Sequence, residues 1–493
     1  MTDKGPQKIT LDFGKKAMGQ CCTVYDPDGV QTGAIISDND LPRRLPAFDF
    51  ADRDWRDACM LEKARIPAGY TYLGQLIGHD AGESRKANQI PHVQNSFSKD
   101  DKNDAQAEFD DQDEEEEDKL VQTGANARPN GRYNIIENPL TFETLYGSGP
   151  ITLHHVFDPI TMLFRVSSNS AFSVDLSKEG HKHIYALYDV RNRDNLMVHQ
   201  LAVTWMKYHN FVALAFRHDL RDRADKEDGL AMDVFVKARK HVLATWHRVI
   251  REDFVNAMIH PDVAAMSETE MKTFDPVDET TLQHGIFRTF HCMPRADYRM
   301  KGKGPKILQE LLASNLPKRS AGEHEGWTTD LDELFDPTNG KGDKTGISAS
   351  LAWALKGLIR QDFATAKDVG PLRLSSEKMQ AIIDSLPNPS WRDQLTRHAL
   401  SEAFNAVITV HNFEPLSPQA FREMPLYVAL MIEAQLHGGL GQLGPLGSVL
   451  LRRALCDRID AVEYGQNDLP DDGPAHLNSM IEIVRTLKGT PHV

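Results

Sequence analysis

Tyr70-Thr-Tyr-Leu-Gly-Gln-Leu-Ile-Gly-His-Asp80 is an apolar run that carries a glutamine, a histidine and an aspartate close together. Read as a helix, it places Gln75 and His79 four residues apart on one face. Asp80 is then turned roughly 100° away from them. Two polar groups address one cavity, and a carboxylate addresses a different region. A lone histidine in such a helix reads more readily as a satisfied core residue than as chemistry. Partners elsewhere in the chain decide between the two.

The chain has 493 residues, 40% of them hydrophobic, which is enough for a large core. Its length allows two or three domains, or one large helical domain. The formal net charge is −15. No basic face is evident, which argues against nucleic acid as a partner. No apolar run approaches the ~20 residues of a membrane span. The start, Met-Thr-Asp-Lys-Gly-Pro, has neither the basic nor the apolar region of a secretory signal. The expected location is therefore the cytoplasm, or outside the cell by a route without a cleaved signal. Of five cysteines only Cys21 and Cys22 lie close together, so neither a disulfide framework nor a zinc spacing is present.

Outward from the Tyr70 run, residues 1–45 are punctuated by Gly and Asp and read as an extended arm on a body spanning 46–493. The polar stretch at about 99–124 contains Asp110, Asp111, Asp113, Glu114, Glu115, Glu116, Glu117 and Asp118. Such a block repels itself and reads as a disordered insertion. It lacks the spacing and central glycine of an EF-hand. From Leu196 the pattern turns helical: Met197, Leu201, Trp205, Tyr208, Val212 and Ala215 form one stripe. Val234–Phe254, Pro276–Phe290, Ser348–Phe363 and Pro425–Leu436 are further helical segments. Strand patterns are few and short. The expected fold is mainly α, one large domain with long loops.

Two more segments supply candidate partners. Tyr188-Asp-Val-Arg-Asn-Arg-Asp-Asn195 precedes the striped helix. Locally it reads as Asp194 capping that helix, with Arg191 as a surface charge. Gly285-Ile-Phe-Arg-Thr-Phe-His291 sets Arg288 and His291 three apart among aromatics. His291 reads as core, or equally as an axial ligand to a planar cofactor.

Taken together these segments resemble the animal-type haem peroxidase family, the peroxidase–cyclooxygenase superfamily, and its bacterial members most closely. Gly74-Gln-Leu-Ile-Gly-His-Asp80 is similar to the distal signature. Asp189-Val-Arg-Asn-Arg-Asp-Asn-Leu196 is similar to the distal arginine segment, and Lys207-Tyr-His-Asn-Phe211 to a histidine–asparagine pair on the next helix. Phe287-Arg-Thr-Phe-His291 is similar to the proximal segment. Glu433-Ala-Gln-Leu-His-Gly-Gly-Leu-Gly-Gln-Leu-Gly-Pro-Leu-Gly447 is similar to the glycine-rich C-terminal segment. The five occur in family order.

The resemblance implies haem b held by His291, with Arg288 beside it. It implies that His79 moves the peroxide proton, that Arg191 stabilises developing negative charge, and that Gln75 holds a distal water or halide. Hydrogen peroxide and a small donor (a halide, thiocyanate or a phenol) would be the substrates, with a role in oxidative stress. Fatty-acid dioxygenases share the distal helix but carry a radical tyrosine where this chain has Arg288. A haem-free scaffold or adhesion module of the same fold is the remaining alternative. There are departures. Gly78 replaces the aspartate that forms one haem ester, and Asp194 stands at the glutamate of the other. Asn195 replaces the methionine of a sulfonium link. Asp80, Thr141 and Glu143 match a diverged calcium loop. The asparagine that orients the proximal histidine aligns near Gly357, so another acceptor is expected for His291.

Overall fold

A computed structural model gives the fold. It describes residues 66–82, 84–86, 132–134, 136–166, 186–193, 195–221, 230–279, 281–294, 297–301, 304–307, 311, 328–336, 377–396, 398–402, 405, 426–437, 442–462 and 474–490. The N-terminal arm, the acidic insertion, Asp194, the Ser348–Phe363 helix and Gly357 lie outside the described residues.

The quoted run forms α1, Gly69–Ala81, and every residue of it is buried. A helix apolar on nearly all sides belongs at the centre of a large protein. Further helices surround it: α2 (Glu143–Tyr146), α3 (Leu196–Arg221), α4 (Leu230–Arg248), α5 (Phe287–Cys292), α6 (Leu426–His437), α7 (Pro445–Asp460) and α8 (Met480–Lys488). The expected mainly α class is what the chain adopts. Among the described residues strand is confined to two antiparallel ribbons, β1 (Ser84–Lys86) with β2 (Arg132–Asn134), and β3 (Asp297–Met300) with β4 (Gly304–Ile307). Among the described residues no helix is long and apolar enough to cross a membrane.

The helix ends follow local chemistry. Asn195 caps α3, its Oδ1 accepting from Val198 N at 2.9 Å. This corrects the expectation that Asp194 is the cap. The segment expected to be helical from Pro276 starts later, as a π turn over Thr281–Ile286 that runs directly into α5. Asp278 Oδ1 accepts from Thr281 N at 2.7 Å at its start. The glycine-rich segment near the C-terminus also has a physical reason. The buried Glu433 carboxylate on α6 accepts from Leu446 N (2.6 Å) and Gly447 N (3.0 Å) at the start of α7. A Cβ on Gly444 would lie 2.4 Å from Glu433 Cδ. Glycine there lets a carboxylate reach the positive end of the helix. Pro445 fits the first turn, where its missing N–H removes no helical bond. Burial pushes the Glu433 carboxyl up to about 7.

Two glycines decide how closely α1 approaches its neighbour α5. A Cβ on Gly74 would meet the Phe290 ring at 2.5 Å, and one on Gly78 would meet Phe287 Cγ at 2.9 Å. Gly74 and Gly78 stand four apart, and Phe287 and Phe290 stand three apart, so both pairs lie on facing helical surfaces. On the other side of α1, Phe142 stacks on Trp246 at 4.1 Å, and Trp205 closes the cluster at 5.0–5.1 Å from both. Tyr70, at the start of α1, hydrogen-bonds Asp253, which also accepts from Met480 N of α8 at 2.8 Å.

Candidate active site

The packing of α1 on α5 brings together the two histidines the sequence singled out. The rings of His79 and His291 lie 6.0 Å apart, centroid to centroid, at 44°. They are 212 positions apart in the chain, so only the fold makes them neighbours.

Each imidazole is fixed through Nδ1. His291 Nδ1 is 2.8 Å from the Phe287 carbonyl. A carbonyl only accepts, so Nδ1 carries the proton and Nε2 keeps a lone pair. That Nε2 is buried and has no hydrogen-bond partner. Here is the acceptor that the sequence left open: a backbone carbonyl one turn back takes the place of an asparagine. His79 Nδ1 is 3.0 Å from Asn192 Oδ1. Burial, and then the Arg191 charge, lower the His79 imidazole to about 4; Asp189 and the Asn192 bond oppose this, and Arg288 adds to it. Burial, then Arg288, then His79 itself lower His291 to about 3. Both rings are therefore neutral at neutral pH.

Arg191 stands beside this pair in a different role from the one expected. Its Nε and Nη2 bond the Asp189 carboxylate, with Nη2–Oδ2 at 2.6 Å. Nη1 donates to Gly82 O and Nη2 to His79 O, each at 2.9 Å. The planar fork, expected to point at a peroxide oxygen, closes on a buried carboxylate and on the C-terminal carbonyls of α1. A guanidinium there neutralises Asp189 and satisfies helix-end carbonyls. Burial would raise the Asp189 carboxyl, but the Arg191 charge and hydrogen bonds outweigh it and leave it below its ordinary value. Nor is Arg191 the surface charge that the local reading gave.

Gln75 is also committed. Its Nε2 donates to Phe290 O at 3.0 Å, and its Oε1 accepts from Asn195 Nδ2 at 3.2 Å. It ties α1 to α5 and to the cap of α3. Arg288 is half-buried, and its charge acts on both imidazoles. The His209–Asn210 pair is structural. His209 Nδ1 meets Tyr146 Oη at 3.0 Å, and Asn210 bonds both the N–H and the carbonyl of Phe164.

The donor chemistry fits a haem. His291 offers a buried, unpartnered, unprotonated nitrogen whose tautomer is already set, as an axial ligand requires.

The side chains matched to a calcium loop are engaged in hydrogen bonds within the protein. Asp80 Oδ2 accepts from Phe142 N (2.9 Å) and Trp246 Nε1 (3.1 Å), and Oδ1 accepts from Thr144 Oγ1 (3.2 Å). Thr141 Oγ1 donates to Asn138 O at 2.7 Å, and Glu143 Oε2 accepts from Asn138 N at 2.8 Å. Asp80 thus already accepts three hydrogen bonds, and the Thr141 and Glu143 side chains both bond Asn138. Among the described residues no group of three or more His, Cys, Asp or Glu is arranged to hold a metal ion. The calcium expectation for Asp80, Thr141 and Glu143 gains no support from these contacts. Instead Asp80 holds a turn in which Leu140 and Phe142 have φ of 62° and 55°, a left-handed conformation that side chains disfavour. Chelation of calcium should leave the melting temperature unchanged. Trp246→Phe, which strips one donor from a buried carboxylate, should lose about 1–3 kcal/mol in denaturant unfolding. A melting temperature that falls on chelation and returns with added calcium would refute this.

Residues 151–320 match the family model described as animal haem peroxidase. Among solved structures, peroxidase A from Dictyostelium discoideum is 12% identical, with 73% of this chain and 69% of that one covered at a TM-score of 0.39. The Oryza sativa fatty acid alpha-dioxygenase is 11% identical, covering 87% and 74% at 0.47. The Arabidopsis thaliana fatty acid alpha-dioxygenase is 14% identical, covering 72% and 60% at 0.41. No curated protein matches the chain.

Proposed function

We propose that this chain belongs to the peroxidase–cyclooxygenase superfamily, an animal haem peroxidase model matching residues 151–320, and that it is a haem-dependent peroxidase that reduces hydrogen peroxide and oxidises a small donor such as a halide, thiocyanate or a phenol. One observation carries the reading: two neutral imidazoles, the buried His79 and the half-buried His291, each fixed through Nδ1, lie 6.0 Å apart on α1 and α5.

His291 would hold the cofactor through Nε2. Haem bound there would supply the redox-active iron at which peroxide accepts electrons. His79 Nε2 would take a proton from the peroxide and return it to the oxygen that departs as water. The low proton affinity of His79 keeps that nitrogen unprotonated at neutral pH. Arg191 contributes a fixed positive charge beside the imidazole and anchors the backbone of the same residue. Gln75 keeps α1 and α5 in register.

Fatty-acid dioxygenation is the second reading. Arg288, three residues before His291, stands where that chemistry would need a tyrosine. The discriminating experiment is an absorption spectrum of haem-loaded protein before and after peroxide, run alongside oxygen uptake with linoleate. Spectral change with peroxide and turnover of a small donor are expected. Rapid oxygen uptake with linoleate and no donor turnover would replace the peroxidase reading. Absence of a Soret band would leave only the scaffold.

A further inference from the structure

We propose that Asn192 is a positioning residue that fixes His79 as a proton acceptor, an inference that rests on the peroxidase reading. Asn192 is fully buried in the single-turn helix Val190–Arg193. Its Oδ1 lies 3.0 Å from His79 Nδ1, and its Nδ2 donates to Thr144 O at 3.4 Å.

The two ends of the amide are not interchangeable. Thr144 O is a carbonyl and can only accept, so the NH₂ must face it. The oxygen then faces His79 Nδ1, which must carry the proton. Turning the amide over would set oxygen against the Thr144 carbonyl with no hydrogen between them. It would also force the His79 proton onto Nε2, and an Nε2–H cannot accept a proton from peroxide. Thr144 is itself held, because its Oγ1 donates to Asp80 at 3.2 Å. The orientation of Asn192 is thus determined from its far end.

Neighbouring residues hold the rest of His79. Arg191 Nη2 bonds the His79 carbonyl, and Asp189 holds Arg191. One short turn therefore grips the backbone of His79 with one side chain and its ring with the next. Of the groups that act on His79, Arg191, Arg288 and Asp189 set its charge environment. Asn192 is neutral and sets which nitrogen bears the proton. An orienting acceptor on the far nitrogen of a catalytic imidazole is a general requirement for proton transfer at the near one.

The test uses the full-length chain with ¹⁵N-labelled histidine, His79 being assigned by difference from His79→Ala. Wild type should show the Nδ1–H tautomer. Asn192→Asp, which keeps an acceptor oxygen, should retain it. Asn192→Ala should give a mixture of tautomers, and its haem-loaded form should react with peroxide about tenfold to a hundredfold more slowly, part of the full general acid–base effect. The Asp variant should recover most of that loss. Asn192→Leu, closer in volume, replaces the alanine variant if that one unfolds. An Nε2–H tautomer in wild type, or an unchanged tautomer in the Ala or Leu variant, overturns the proposal alone. A His79→Ala protein that reacts with peroxide at the wild-type rate overturns the functional reading, and the proposal with it.

Discussion

His79→Ala should bind haem as wild type does and lose the fast reaction with peroxide by about two to four orders of magnitude, the span usual for a general acid–base group. The expected split between binding and rate follows from position. His79 offers no bond that the fold depends on beyond Nδ1 to Asn192, and its backbone is held independently through Arg191. Truncation therefore leaves α1 in place and removes only the mobile proton. Stopped-flow mixing with peroxide reads the rate, and the Soret band reads haem content. A rate within a few-fold of wild type at full haem content would take His79 out of the mechanism.

His291→Ala should fail at the earlier step. Loss of the ligand atom itself should cost more affinity than the roughly 10–100-fold typical of losing an outer-shell partner. The purified variant should carry little haem, and added imidazole should partly restore the spectrum by filling the space the side chain leaves. The unpartnered Nε2 is the reason for expecting so much: among the described residues nothing else uses that nitrogen. Normal haem content and an unaltered spectrum in this variant would reassign the axial ligand. Comparing the two variants also separates the two roles, since one should lose rate with haem present and the other should lose haem.

The mainly α fold was legible because its signals are local. The α3 stripe and the largely apolar α1 follow from periodicity and composition, and both formed. The site was legible only through order and resemblance, since no local rule connects residue 79 with residue 291. The partners of Arg191, Gln75 and Asp80 were not legible. Their roles were assigned by residue type, but the direction of a side chain depends on which acceptors the fold brings near. Asp189 draws in the arginine, Phe290 O draws in the glutamine, and Trp246 and Phe142 fill the carboxylate. Trp246 lies 166 positions from Asp80 and gave no sequence signal. Asn192 was equally hidden, as an ordinary residue between two arginines. Its importance appears only when Thr144 and His79 are seen on either side of it.

The contact between Gly78 and Phe287 bears on how this lineage could change. Any side chain at position 78 would push a new Cβ to 2.9 Å from the Phe287 ring. An acidic substitution there would meet a wall before it met anything else, and the phenylalanine would have to shift or shrink first. A change at this point of α1 is therefore tied to a change on α5.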